Sequence, residues 1–175
     1  MKSRRDRMSE VADMHMMMNY VRGVYKVLEE DWQKSAKALG LTQAEQHILW
    51  IVSFEQEATI SRIAQLGLWD VSTVMQVIKR LKEKGLVQML KKDHDRRISY
   101  VSLTEEGAKK QEMSAEGKNS IYEYLRTWGQ QEDQAEFLLQ LGRLHKEINQ
   151  HFHGSEYVEW VEATGKQLRS EVKTR

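Results

Sequence analysis

Residues 59–107 change hydrophobic period twice, and that order restricts the fold more than any other feature of the chain. Apolar residues recur at helical spacing over about 60–66 and again over about 71–84, where Val71, Val74, Val77, Ile78 and Leu81 share one face. Thr59 is placed to N-cap the first segment, Gly67 and Leu68 turn the chain, and Gly85 stops the second. The short runs GLVQML and ISYVSL then occupy 86–103 as two strands. Polar KKDHDRR between them reads as a hairpin loop. Thr104 with Glu105 and Glu106 opens another helix, expected to reach about Arg126. A short helix, a tight turn, a longer helix and a two-stranded hairpin is a helix-turn-helix followed by a wing.

The rest of the chain is helical. Val11, Met14, Met18, Val21, Val24, Tyr25, Leu28 and Trp32 recur at three- and four-residue steps, so one helix is expected over 11–38, ending at Gly40. Thr42 followed by Glu45 is a capping box for a second helix, with Ile48, Leu49, Ile51 and Val52 on its apolar face. Gly129 and Gly154 separate two further helices, over about 132–152 and 156–172. The 175 residues contain no proline, so nothing forces a break inside these helices. The expected class is mainly α with a small two-stranded wing (a winged helix-turn-helix) and dimerisation helices at both ends. The expected parts are an N-terminal dimerisation helix at 11–41, a winged core at 42–107 and C-terminal dimerisation helices at 108–175. The helix-turn-helix lies at about 59–84 and the wing at 86–103. A single winged helix cannot bury Trp128, Trp160 or the Met14, Met16, Met17 and Met18 cluster, so a homodimer is expected.

Composition excludes several classes. Without cysteine the chain has no disulfide, thiolate metal site or cysteine nucleophile. No apolar run approaches the roughly 20 residues of a membrane helix. The N-terminal MKSRRDRMSEVADMHMMMNY lacks the apolar core and cleavage site of a signal peptide, so a cytoplasmic protein with no membrane partner is expected. There is no P-loop, G-x-S-x-G, H-E-x-x-H or dinucleotide fingerprint, so neither enzymatic activity nor a cofactor is expected. His145, His151 and His153 form only a weak ligand pattern, and the methionines read as adaptable packing, so no metal site is expected. His15 and His47 are placed at helix surfaces or interfaces.

The charge distribution points to an anionic partner. Residues 79–97 carry eight basic and three acidic side chains, net +5, whereas 123–162 carry three basic and eight acidic, net −5. The polar side of 71–84 presents Ser72, Thr73, Gln76, Lys79 and Arg80. The first three suit base edges in a major groove, and the last two suit phosphates. Thr59 and Ser61 open the preceding helix, where hydroxyls and free N–H groups can hold a phosphate as well as cap. In the wing, Lys91, Lys92 and Arg96 are placed for phosphates and Arg97 for a minor groove. Asp95 is expected to pair with Arg97 and aim it, while Asp93 forms the turn.

The stretch from Asp70 to Gly107, with its wing D-x-R (Asp95, Arg97) and LTEEG (103–107), resembles the MarR family of winged-helix transcription regulators. EEDWQK (29–34), EQHILWI (45–51), ISRIAQLG (60–67) and VST (71–73) are similar to its Hpr (ScoC) branch. The likeness covers about Met14 to Arg126. The C-terminal HFHGSEYVEWVEATGKQLRSEVKTR departs from it. The resemblance implies a homodimer on double-stranded DNA with a pseudo-palindromic operator, repressing extracellular protease and sporulation genes. Two other readings stay open. One is a sensor of a small aromatic or lipophilic effector, with Trp50, Trp69, Tyr20 and Tyr25 lining its site rather than filling a core. The other is a winged-helix protein-interaction module.

Overall fold

The computed structural model describes residues 4–92, 95–115 and 119–174, and the side chains of 6–91, 97–115 and 119–170. The elements in chain order are α1 (Arg4–Ala38), α2 (Gln43–Glu55), β1 (Ala58–Thr59), α3 (Ile60–Gly67), α4 (Val71–Glu83), β2 (Val87–Lys92), β3 (Asp95–Leu103), α5 (Glu105–Ser114), α6 (Ser120–Trp128), α7 (Glu132–His153) and α8 (Ser155–Thr174). A mostly helical chain with a small antiparallel sheet is the expected class.

The sheet has the order β1-β3-β2. It is therefore three-stranded, one strand more than expected. Two residues are too few to show alternation, and β1 exists only because Ala58 and Thr59 pair with Val101 and Tyr100. The hairpin register runs from Val87↔Leu103 to Lys91↔Ser99, with an irregularity between Lys91 and Lys92. The strands enter KKDHDRR from both sides, so Lys91, Lys92, Asp95, Arg96 and Arg97 lie on strands rather than in a loop.

The local stop and start signals act as read. Thr42 Oγ1 accepts from the Glu45 N–H at 3.3 Å and Glu45 Oε2 accepts from the Thr42 N–H at 2.8 Å, closing the capping box. Thr59 Oγ1 accepts from the Arg62 N–H at 3.1 Å at the start of α3. The turn after α3 stands where expected, but one helix boundary nearby does not. Gly67 closes α3 and Leu68 is the left-handed residue of the turn (φ 56°). A Cβ on Gly67 would lie 2.5 Å from the Trp69 ring, so its smallness serves packing. The helix expected from Thr104 to Arg126 is two helices, α5 and α6. Asn119 caps α6 by accepting from the Tyr122 N–H at 2.8 Å. The buried Asp31 of α1 also accepts from the Ser120 N–H at 2.6 Å and from its hydroxyl at 3.0 Å. That second start is fixed from 89 residues away, which no periodicity reveals.

The core lies under the helix-turn-helix. Ile48, Leu49, Ile51 and Val52 of α2 meet Ile63 and Leu66 of α3, Val74, Val77, Ile78 and Leu81 of α4, and Leu86, Val87 and Val101 of the hairpin. α5 approaches this core through Gly107. A Cβ there would stand 1.9 Å from the Leu86 carbonyl oxygen, which gives the last residue of LTEEG a steric reason. Trp160 of α8, expected at a dimer seam, packs against this core and meets Phe54 edge-on at 6.2 Å. Trp128 is half-buried against Phe137. The apolar side chains left exposed include Met14, Met17, Met18, Val21 and Val24 of α1 and Phe137, Leu144 and Phe152 of α7.

Candidate nucleic-acid interface

α4 is held from below by Val74, Val77, Ile78 and Leu81, and Ser72, Thr73, Gln76, Lys79 and Arg80 are all exposed on its other side. Val71, expected among the buried residues, is 47% exposed. It is the first residue of α4, ahead of the turn that meets the core. α4 packs on α3 and on β2, so the helix and the hairpin form one body. Lys91 and Arg97 are exposed on that hairpin, and Arg97 is engaged with neighbouring groups. The side chains of Lys92, Asp93, Asp95 and Arg96 lie outside the described residues, and with them the expected Asp95–Arg97 pair. Thr59 is half-buried and caps α3, while Ser61 is exposed in its first turn.

Not every basic side chain of α4 is equally available. Glu45 is almost wholly buried and receives Lys84 Nζ at 2.8 Å and Arg80 Nε at 3.6 Å. Lys84 Nζ also donates to the Gly40 carbonyl at 3.1 Å. Burial pushes the Glu45 carboxyl up. The hydrogen bond from Lys84, the Thr42 N–H and the Lys84 charge outweigh burial and hold it below its ordinary value. Arg80, read from sequence as a phosphate ligand, stays exposed and forms only a 3.6 Å ion pair with this carboxylate, whereas Lys84 is hydrogen-bonded to it. The capping-box motif revealed Glu45 in its local role. Its role as an anchor for α4 depends on Lys84, 39 residues on, and carries no sequence signal.

A second charged clasp joins the C-terminal helix to the reading head. Arg62 of α3 donates through Nε to Glu55 at 2.9 Å and through Nη1 to Glu156 of α8. Gln65 Nε2 donates to the other Glu156 oxygen at 2.7 Å. Arg62 loses by burial and gains more from the two carboxylates, so its guanidinium is held charged.

Between α1, α2, α5 and α8 lies an open groove of about 1100 Å³, lined among others by Trp32, Trp50, Phe54, Tyr157 and Trp160. Trp160 Nε1 is buried without a hydrogen-bond acceptor. Only Trp50 of the four aromatic residues expected around an effector lines this groove. Trp69 packs against the core with its ring on His47, and Tyr20 and Tyr25 are exposed on α1 and do not line the groove. His15 is an exposed residue of α1 beside Asn19. His151 and His153 set their rings against Phe152 and Tyr157. Among the described residues no group of three metal-ligating side chains comes together. No described helix is long and apolar enough to cross a membrane.

Comparison with known proteins places this geometry. A family model described as a winged helix DNA-binding domain matches residues 41–107. A regulator from Shouchella clausii, named HTH-type transcriptional regulator Hpr, is 31% identical over 169 residues, covering 92% of this chain and 82% of that protein. The match must reach into the C-terminal segment, which was expected to depart from the Hpr branch. The DNA-binding transcriptional repressor ScoC of Bacillus subtilis is 41% identical over 91 residues, 52% of this chain and 45% of that protein. In the first curated relatives it matches, the chain spans about half of their length. A MarR variant from E. coli, solved with operator DNA, superposes with a TM-score of 0.62 at 19% identity, over 75% of this chain and 94% of that one. The relatives are named as transcription regulators, in keeping with a chain that carries no catalytic motif.

Proposed function

The chain belongs to the Hpr family of MarR-type winged helix-turn-helix transcription regulators, and from this premise we propose that it is a homodimeric, sequence-specific DNA-binding repressor. The observation that carries the proposal is the exposed face of α4. Ser72, Thr73, Gln76 and Lys79 stand out from a helix whose opposite side is locked into the core. Such a rigid element can present donors and acceptors to base edges without ordering anything first. Lys91 and Arg97 extend the cationic surface along the hairpin, and Thr59 and Ser61 supply hydroxyls at the start of α3 for the phosphate backbone.

Homodimerisation is supported by the exposed apolar side chains of α1 and α7, which the described residues leave uncovered. Two reading helices related by a two-fold axis would require a pseudo-palindromic operator, with half-sites about 10 bp apart centre to centre. The resemblance to the Hpr (ScoC) branch implies extracellular protease and sporulation genes as targets. The test is selection of genomic fragments by the purified protein, followed by gel shift over a salt series. A palindromic site whose affinity falls steeply with salt supports the proposal. Equal, salt-insensitive affinity for all fragments would instead favour the protein-interaction module.

The groove favours a second, compatible reading, a ligand-responsive regulator. Its aromatic lining and the unpaired indole N–H of Trp160 suit an aromatic compound bearing an acceptor such as a carboxylate. A thermal-shift screen of aromatic carboxylates tests it, since a binder raises the melting temperature by mass action.

A further inference from the structure

The reading face of α4 is not purely polar. Val71 is 47% exposed and Met75 is 55% exposed, and Leu68 in the preceding turn is 45% exposed. Helical spacing arranges them. Ser72 and Gln76 stand opposite the buried Val74, Val77, Ile78 and Leu81. Thr73 and Arg80 lie on one flank, seven residues apart, and Val71 and Met75 lie on the other, four apart. The second flank leads into exposed Lys79 and Lys82. An apolar strip bordered by cations fits a surface that is negatively charged overall but offers apolar points at fixed places. The major groove of DNA is such a surface, because thymine alone places a methyl group on its edge among the hydrogen-bonding groups of the four bases.

We propose that Val71 and Met75 are specificity-determining residues that read thymine C5-methyl groups in each half-site, beside the polar readout by Ser72, Thr73 and Gln76. This rests on the DNA-binding reading above. Met75 is the principal reader, because its unbranched thioether side chain can follow a methyl group that a rigid side chain would miss. Val71, stiff at its first torsion, fixes the near edge of the strip.

The test uses the full chain and an operator obtained by selection from random duplex DNA. Each thymine of one half-site is replaced in turn by deoxyuridine, which lacks only the methyl, and affinity is measured at constant salt. At least one replacement should weaken binding about fourfold, the worth of one buried methyl. Met75→Ala should bind the unmodified operator more weakly, should lose most of that methyl sensitivity and should keep the wild-type salt slope, since it removes no charge. The inference is overturned if no deoxyuridine replacement matters, or if Met75→Ala and Val71→Ala both keep full methyl sensitivity. Recovery of no selected sequence would overturn the DNA-binding reading itself. Selection of an operator indifferent to methyl removal would overturn this inference alone. Because the main perturbation is made in the DNA, a folding defect in a variant cannot imitate the result.

Discussion

Replacing Glu45 with glutamine should destabilise the protein in a strongly pH-dependent way. The carboxylate is almost fully buried and takes two hydrogen-bond donors on Oε2, the Thr42 N–H at 2.8 Å and Lys84 Nζ at 2.8 Å, while Arg80 Nε stands 3.6 Å from Oε1 as a longer ion pair. An amide has one acceptor oxygen for these, and its NH2 must face another donor. A hydrogen bond to a charged group contributes about 1.5–3 kcal/mol. Lys84 is 40% exposed and recovers part of its hydration, so the lower part of that range applies, about 2 kcal/mol. For a chain of 175 residues this corresponds to a fall of about 4–8 °C in melting temperature at pH 7. The folded carboxyl titrates below its ordinary 4.5, so its contribution is complete above that value and is lost as pH falls through the lower folded value. The gap between wild type and Glu45→Gln should therefore close in the acid range. Lys84→Met should cost a similar amount, and the double variant less than the sum of the two. Thermal melts between pH 7 and pH 3.5 provide the assay. A gap that stays constant with pH, or fully additive single changes, would refute the proposed anchor.

Other substitutions probe other parts of the argument. Gly107→Ala sets a Cβ 1.9 Å from the Leu86 carbonyl oxygen, a backbone atom that cannot step aside. It should cost about 3 kcal/mol by overpacking, read as a shift of the urea unfolding midpoint. Lys79→Ala should weaken operator binding evenly across sequences and lower the slope of log affinity against log salt by about one, measured by fluorescence anisotropy. Val21→Glu puts a charge into the exposed apolar face of α1, where Val21 is 60% exposed. It should raise the dimer dissociation constant at least about tenfold in sedimentation equilibrium while leaving the monomer folded.

What could be read from the chain was whatever is decided within a few residues. The Thr42–Glu45 box, the Thr59 cap, the left-handed Gly85 after α4, and Gly129 and Gly154 at helix ends are local devices, and each stands where expected. The apolar face of α4 was equally legible from Val74, Val77, Ile78 and Leu81, because helical period alone assigns it. The same logic placed Val71 inside, and erred, since period assigns a side but not whether anything packs there. The three-stranded sheet, the division of α5 from α6 and the packing of Trp160 against the core could not be foreseen. Each depends on a partner far along the chain: Val101 for Ala58, Asp31 for Ser120, Phe54 for Trp160. The reading head divides in the same way. By itself the sequence determined that α4 would show a polar, basic side to solvent, because that follows from composition and a 3.6-residue period. Only the tertiary structure decided which of those side chains stay available. Glu45, on another helix, holds Lys84 by a hydrogen bond and stands 3.6 Å from the still exposed Arg80, and no term local to α4 contains that attraction.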